Sequence, residues 1–134
     1  AALCAELADL GFDEILLESP AFPDAGEVHV LAENDRFPAD KTAPAEQFLT
    51  EVRAALEGKD VTLSVLTTAE AVLGTNTGSG ITADLLARCA DRAWLPAPTE
   101  GQDPAAALEA AGLTGEGRLV LVGDRTAVSW ADLN

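Results

Sequence analysis

Polar side chains stand at the ends of the predicted strands. Glu18 closes the apolar run "EILLE" and precedes "SPAFP", whose prolines cannot continue a strand. Thr67 ends the next apolar run, Trp94 lies in "AWLP", and Asp124 ends "RLVLVGD". In parallel α/β proteins the carboxyl ends of the strands meet at one edge, where the chemistry takes place. We therefore expect these four side chains to share one rim.

Two carboxyl groups and an aromatic ring on one rim would suit carbohydrate chemistry. Glycoside hydrolysis uses a pair of carboxyl groups roughly 5 to 9.5 Å apart, and Glu18 and Asp124 are the candidates. Trp94 is suited to stack on a sugar face, and Thr67 and His29 are candidate substrate-binding residues. The competing interpretations are a solvated Glu18, an Asp124 that only shapes a turn, a Trp94 in the core and a loop or strand role for His29.

The sequence gives little sign of a metal or a cofactor. His29 is the only histidine, and the chain has no CxxC pair to join it as ligands. The segment "GTNTGSGIT" (74–82) carries glycines before a helix, but it lacks the lysine of a P-loop. We expect an active-site loop or a connector there, and no metal or cofactor.

The composition limits the class of partner. The chain has 134 residues, of which 48% are hydrophobic, which is enough for one domain with its own core over residues 1–134. Its net charge is -15, from 23 acidic against 8 basic residues. Nucleic acid and anionic membranes are poor partners for such a chain, whereas a cationic ligand or a neutral one such as a sugar stays possible. There is no Met, and we expect a piece of a longer protein or a processed form.

Helical and strand patterns alternate along the chain. Helices are predicted over 1–10, 42–57, 82–92 and 103–113, and strands over 14–18, 61–68, 93–96 and 118–124, with a short extra strand within 27–32. Such alternation predicts an α/β fold of parallel βα units. Two architectures satisfy it: a section of a (β/α)8 TIM barrel, or a small open doubly wound sheet. We expect the four strands to follow chain order without a reversal.

The segment "AELADLGFDEILLESPAFP" resembles a bacterial family of glycoside-hydrolase-like TIM-barrel proteins. The match lies in "GFDEI" (11–15) and in the closing "FP" (22–23), and Glu18 stands where the family has its strand-end Asp. Ser19 and Ala21 stand where the family has Tyr and Arg. The resemblance implies the second half of a barrel, from the helix before the fourth strand onward, with Glu18 at the acid/base position.

Two functions follow as expectations. The first is a glycoside-hydrolase-like domain that acts on carbohydrate, with Glu18 as general acid and the second carboxylate either Asp124 or upstream. The second is a non-catalytic carbohydrate-binding or scaffold domain of the same fold. We further expect self-association, or pairing with a missing half-barrel, because a half-barrel leaves two strand edges open. The resemblance also implies an extracytoplasmic or cell-surface location.

Overall fold

The computed structural model describes residues 1–18, 41–76 and 78–123. Five helices and four strands occupy these ranges. The helices are α1 (Ala2–Asp9), α2 (Thr42–Ala55), α3 (Ala69–Leu73), α4 (Ala83–Cys89) and α5 (Pro104–Ala111); the strands are β1 (Glu14–Glu18), β2 (Thr62–Leu66), β3 (Arg92–Pro96) and β4 (Leu119–Val122). The extra strand predicted within 27–32 lies outside the described residues.

The four strands form one sheet in the order β1-β2-β3-β4, and every neighbouring pair is parallel. The predicted α/β class, the parallel βα units and the chain-order arrangement are confirmed. As described, the sheet is open, in agreement with the alternative of a small open sheet. That it forms a section of a barrel stays a prediction.

The apolar core lies on one face of this sheet. In β1, β2 and β3 every second residue belongs to one of the two apolar clusters of the core, and β4 contributes one residue to them. These residues are Ile15, Leu17, Leu63, Val65, Ala93, Leu95 and Leu119. They pack against apolar residues of α1, α2, α4 and α5, among them Cys4, Leu49, Val52, Leu85 and Leu108. Because side chains alternate between the faces of a strand, the helices described here cover one face.

The opposite face, which we call the open face, carries the other half of the strand residues. They are Glu14, Leu16, Glu18, Thr62, Ser64, Leu66, Arg92, Trp94, Pro96, Val120 and Val122. Among the described residues, none of these belongs to either apolar cluster. The open face is also where the polar residues of the strands concentrate.

Short polar side chains begin three of the helices. Thr68, Thr82 and Asp103 each accept a hydrogen bond from the backbone N–H three residues later, at 3.2, 3.1 and 3.0 Å. Such caps stabilise a helix by about 1 kcal/mol each. The cap at Asp103, followed by Pro104, agrees with the predicted start of a helix at residue 103. Helix α3 was not predicted, because five residues are too few to show a helical period.

The glycine-rich segment after α3 is a closely packed connector. Gly80 has a φ of +78°, and a Cβ there would overlap the main-chain carbonyl of Lys41 at the start of α2. Ser79 beside it is buried, and its hydroxyl accepts a hydrogen bond from the N–H of Ile81 at 3.2 Å. The glycine therefore permits a close approach of two backbone segments.

Candidate functional site

Three donors converge on the carboxylate of Glu14 on the open face. The Ser64 hydroxyl donates to Oε1, and the Trp94 indole N–H donates to the same oxygen at 3.2 Å. The Arg92 guanidinium donates to Oε2 at 3.3 Å. We call these four residues, Glu14, Ser64, Arg92 and Trp94, the Glu14 cluster. They come from three adjacent strands, so the cluster joins β1, β2 and β3 through side chains.

The Glu14 cluster is only partly accessible to solvent. The side chains of Glu14 and Arg92 are 28% and 36% exposed, and Ser64 is fully buried beneath them. A buried hydroxyl or a half-buried carboxylate costs free energy unless it is hydrogen-bonded. Here Ser64 and Glu14 satisfy each other, and Arg92 balances the charge. The cluster therefore holds a fixed carboxylate and a fixed indole ring on the open face.

Glu18 and Trp94 occupy one row across the open face. Glu18 lies opposite Leu66 in the β1–β2 register, and Leu66 lies opposite Trp94 in the β2–β3 register. Neighbouring strands are about 4.8 Å apart, so the two backbones are separated by roughly 10 Å, with the side chain of Leu66 between them. Glu18 is exposed and ends β1, at the carboxyl edge of the sheet. Glu18 and Trp94 thus lie on the same face, on either side of Leu66, with the indole N–H of Trp94 bonded to Glu14.

Glu14 and Glu18 do not form a pair of catalytic carboxyls. They lie on the same strand and the same face, four residues apart. A strand rises about 3.3 Å per residue, which places their backbones roughly 13 Å apart. That exceeds the separation of about 9.5 Å at which two carboxyls still flank one glycosidic bond. Glu14 is instead the acceptor that holds the indole N–H of Trp94.

A second carboxylate of the rim belongs to Glu70, which the sequence analysis missed. It lies in the first turn of α3, just after β2, and accepts a hydrogen bond at 3.1 Å from Gln102, in the loop after β3. This bond, followed by one from its own backbone N–H, holds the pKa of Glu70 below its usual range. Glu70 is therefore an ionised carboxylate on α3, the helix that follows β2.

The other predicted site residues are placed differently or not described. Thr67 directly follows β2, is buried, and continues the alternation of Leu63 and Val65 on the helix-covered face. Its backbone N–H donates to the carbonyl of Trp94 at 3.0 Å, so it extends the strand ladder. His29 and Asp124 lie outside the described residues. The structure thus brings Glu18 and Trp94 to one face, together with the Glu14 cluster.

The opposite end of the sheet carries a groove of about 600 Å³, lined by the ends of α2 and α4. Its basic side chains are engaged with acids. Arg53 forms two hydrogen bonds with Asp91, at 2.9 and 3.0 Å, and Lys59 pairs with Asp9. Asp91 also accepts the backbone N–H of Leu63 at 2.9 Å. These contacts tie α2 to the beginnings of β2 and β3, a structural role expected at the amino end of parallel strands.

The described residues contain no group of three or more His, Cys, Asp or Glu side chains arranged to hold a metal ion. None of the described helices has the length and apolar character needed to cross a membrane.

Comparison with models of known protein families, with curated protein sequences and with solved structures finds no match to this chain.

Proposed function

We propose that this chain is a carbohydrate-binding section of a glycoside-hydrolase-like (β/α)8 barrel, and that its open face is the sugar site. The observation that carries the proposal is the row that joins Glu18 to Trp94 through Leu66. In this site Trp94 is the platform for a sugar ring. Glu18 lies at the carboxyl edge of the sheet, the position that carries catalysis in barrels of this kind.

The chemistry of the open face favours a neutral polyol over other ligands. A sugar presents apolar C–H faces to an aromatic ring and hydroxyl groups to planar polar side chains. The open face offers the half-buried ring of Trp94, the guanidinium of Arg92 and the exposed carboxylate of Glu18. With a net charge of -15, the protein repels anionic ligands at long range, whereas a neutral sugar is unaffected.

Two features support a barrel section. The strands follow chain order without a switch point, and the apolar clusters draw their strand residues from one face only. In a (β/α)8 barrel the helices surround the outer face of the strands, and the inner face is filled by layers of side chains. Glu14 and Arg92, which meet from the alternate strands β1 and β3, match two members of such a layer, and Trp94 lies two residues closer to the carboxyl end of β3.

The Glu14–Arg92 contact also has the stagger of a barrel. Ser64 lies opposite Arg92 and Thr62 lies opposite Glu14, so Arg92 stands two residues beyond the straight row through Glu14. In an eight-stranded barrel with a shear of 8, strands shift by about one residue per strand, or about two residues across two strands. The contact therefore joins residues that share one level of such a barrel.

In the catalytic form of the proposal, Glu18 donates a proton to the glycosidic oxygen. The second carboxylate, which would attack the anomeric carbon or activate the water that does so, is then Glu70, whose pKa is lowered, or Asp124, or a residue upstream. The second candidate function is non-catalytic carbohydrate binding by the same face. It is favoured by the exposure of Glu18, since a general acid generally works in a desolvated pocket that raises its pKa.

The test is a screen of the purified chain against soluble oligosaccharides and polysaccharides, with binding read by calorimetry and cleavage by release of reducing ends. We expect binding of at least one neutral glycan, weakened at least tenfold by Trp94→Ala. Cleavage of that glycan distinguishes the catalytic form from the binding form. Absence of binding across neutral glycans, or binding that Trp94→Ala leaves unchanged, contradicts the proposal.

A further inference from the structure

Exposed large apolar side chains are confined to the two edges of the described structure. Leu3, Leu10, Phe12 and Leu16 belong to α1, β1 and the turn between them, and Leu121 and Val122 belong to β4. Between these edges, the described parts of α2, β2, α3, α4, β3 and α5 expose no large apolar side chain. Single exposed apolar residues are ordinary, but their concentration at both edges of one sheet marks an interaction surface.

Within the described ranges, the edge strands also have backbone hydrogen-bonding groups that the sheet does not use. Within the described ranges, β1 pairs only with β2, and β4 pairs only with β3. Each edge strand therefore has one side whose N–H and C=O groups are not used by the described sheet. Such edges are templates for pairing with another strand.

We propose that the two edges form the interface of a homodimer, in which β4 of each copy pairs in parallel with β1 of the other copy. The order β1-β2-β3-β4 then continues into the partner without a break. Two such junctions, related by a twofold axis, close two four-stranded sheets into an eight-stranded barrel. Its open faces become the interior.

A second copy of the chain can pair with both edges at the same time, and for this reason we favour it over a different protein as the partner. The β4 edge needs a parallel strand with a helix beside it, and α1 with β1 supplies that pair. The exposed positions Leu3 and Leu10, 66% and 76% exposed, lie about two helical turns apart on one side of α1. In the proposed dimer this exposed side of α1 packs against the last unit of the partner. The interface is argued from these edges alone, but it shares the barrel arrangement with the proposed function, because the closed dimer makes the open face the barrel interior and places Glu18 at its carboxyl rim.

The high negative charge sets the conditions for dimerisation. Two copies bring together two net charges of -15, which repel each other. The screening length of this repulsion falls from about 10 Å in 0.1 M salt to about 3 Å in 1 M salt. The dimer should therefore be weak at low ionic strength and should tighten as salt is added. Association through ion pairs would show the opposite dependence.

Sedimentation velocity of the whole chain over a range of concentrations, in low and high salt, measures the assembly. The expected result is a monomer–dimer equilibrium between 13.8 kDa and twice that mass, shifted toward the dimer by salt. A 13.8 kDa species at every concentration and salt level overturns the proposal. Larger open-ended species overturn the closed dimer.

Matched variants test which surface is used. Leu10→Glu and Leu121→Glu place a charge on one edge each, at positions that are 76% and 54% exposed. Each should raise the dimer dissociation constant at least tenfold while the circular dichroism spectrum stays unchanged. Ala54→Glu adds the same charge at an exposed position of α2 and should leave the dissociation constant within about twofold. An equal effect of Ala54→Glu contradicts the edge interface.

A mixture of the two variants tests the two-junction geometry. In the mixed dimer, β4 of the Leu10→Glu copy meets β1 of the Leu121→Glu copy, and neither of these edges is altered. One junction is thus intact and the other carries both changes. Where a single change already disrupts a junction, the mixed dimer keeps one intact junction and neither homodimer keeps any, so dimer should reappear on mixing at concentrations where each variant alone is monomeric. Failure to recover any dimer contradicts the edge-to-edge arrangement.

Discussion

The indole N–H of Trp94 donates to Oε1 of Glu14 at 3.2 Å, and so joins β3 to β1 across the intervening strand. The same oxygen accepts the Ser64 hydroxyl, and the other oxygen accepts Arg92. A single carboxylate at the start of β1 therefore fixes the ring on which the proposed sugar site depends. Glu14 influences the proposed site near Glu18 only by holding Trp94 in position, because Trp94 lies in the same row across the sheet as Glu18.

Glu14→Ala should destabilise the protein by about 1–2 kcal/mol, because the buried Ser64 hydroxyl and the half-buried Arg92 lose their acceptor. Urea denaturation measures the loss. Glu57→Ala, a change of the same kind at an exposed position, is the control and should stay within about 0.5 kcal/mol of the parent. Equal stability of Glu14→Ala and Glu57→Ala would show that the cluster contributes nothing to folding.

Asp91 should make stability depend on acid pH. Burial raises the pKa of Asp91, but hydrogen bonds from Arg53 and from the backbone N–H of Leu63, with the charge of Arg53, outweigh it and bring the pKa below its usual range. A lowered pKa in the folded state contributes stability that is present above the unfolded pKa, near 3.9, and is lost as the pH falls through the folded value. Because the side chains of Arg53 and Asp91 are both well exposed, their ion pair contributes about 0.5–1 kcal/mol to the free energy of unfolding.

The measurement is the urea midpoint of the parent and of Asp91→Asn from pH 7 down to pH 2. Asn keeps one acceptor for Leu63 but removes the charge. We expect the parent to be the more stable protein at pH 7, with the difference disappearing below about pH 4. Asp60→Asn, at an exposed position, serves as the control. A difference between parent and Asp91→Asn that persists unchanged at pH 2 refutes the electrostatic explanation.

Gly80 and Gly74 offer a matched test of the packed connector. Their φ angles are +78° and +77°, but a Cβ at Gly80 would overlap the Lys41 carbonyl, whereas nothing lies within 4 Å of a Cβ at Gly74. Alanine at either position incurs the left-handed backbone cost of about 1–2 kcal/mol. Gly80→Ala should lose at least about 1 kcal/mol more than Gly74→Ala, since the two backbone segments must move apart. Equal losses in thermal or urea unfolding would mean that the connector accommodates the methyl group.

The sequence was sufficient for most of the backbone and for part of the site. Strand-end apolar runs located Glu18 and Trp94, because both positions follow from local patterns. Glu14 was not recognised, since a carboxylate at the start of a strand looks like a solvated flank until register brings it to Trp94, 80 residues away. Glu70 was missed for a related reason: its partner Gln102 comes from a different loop. Contacts between different strands and loops depend on the tertiary structure, and the periodicity of apolar residues along the sequence does not predict them.

Glu18→Gln tests the catalytic form of the proposal. Glutamine keeps the size and the hydrogen-bonding capacity of the side chain but cannot donate a proton as an acid. On a glycan that the parent cleaves, the rate should fall about 10²- to 10⁴-fold. Affinity for the glycan and the urea midpoint should change little, because Glu18 is exposed. Full activity of Glu18→Gln removes the assignment of Glu18 as general acid.

Glu70→Gln, measured in the same assay, tests the second carboxylate. An ionised group that assists the reaction should lower the rate by a comparable factor when its charge is removed. Glu57→Gln is the control for the loss of one negative charge. A rate unchanged by Glu70→Gln excludes Glu70 and leaves Asp124 or an upstream carboxylate as the candidate.

The most direct test of the sugar site reads Trp94 itself. The chain has two tryptophans, so Trp130→Phe leaves Trp94 as the only source of indole fluorescence. Titration of this variant with the neutral oligosaccharides of the screen should give a saturable change in emission for at least one of them, because a stacked sugar replaces water on the ring face. In the Glu14→Ala background, where the ring loses its anchor, the same titration should require at least tenfold more ligand. If no neutral oligosaccharide alters the emission of Trp94, the open face is not a carbohydrate site.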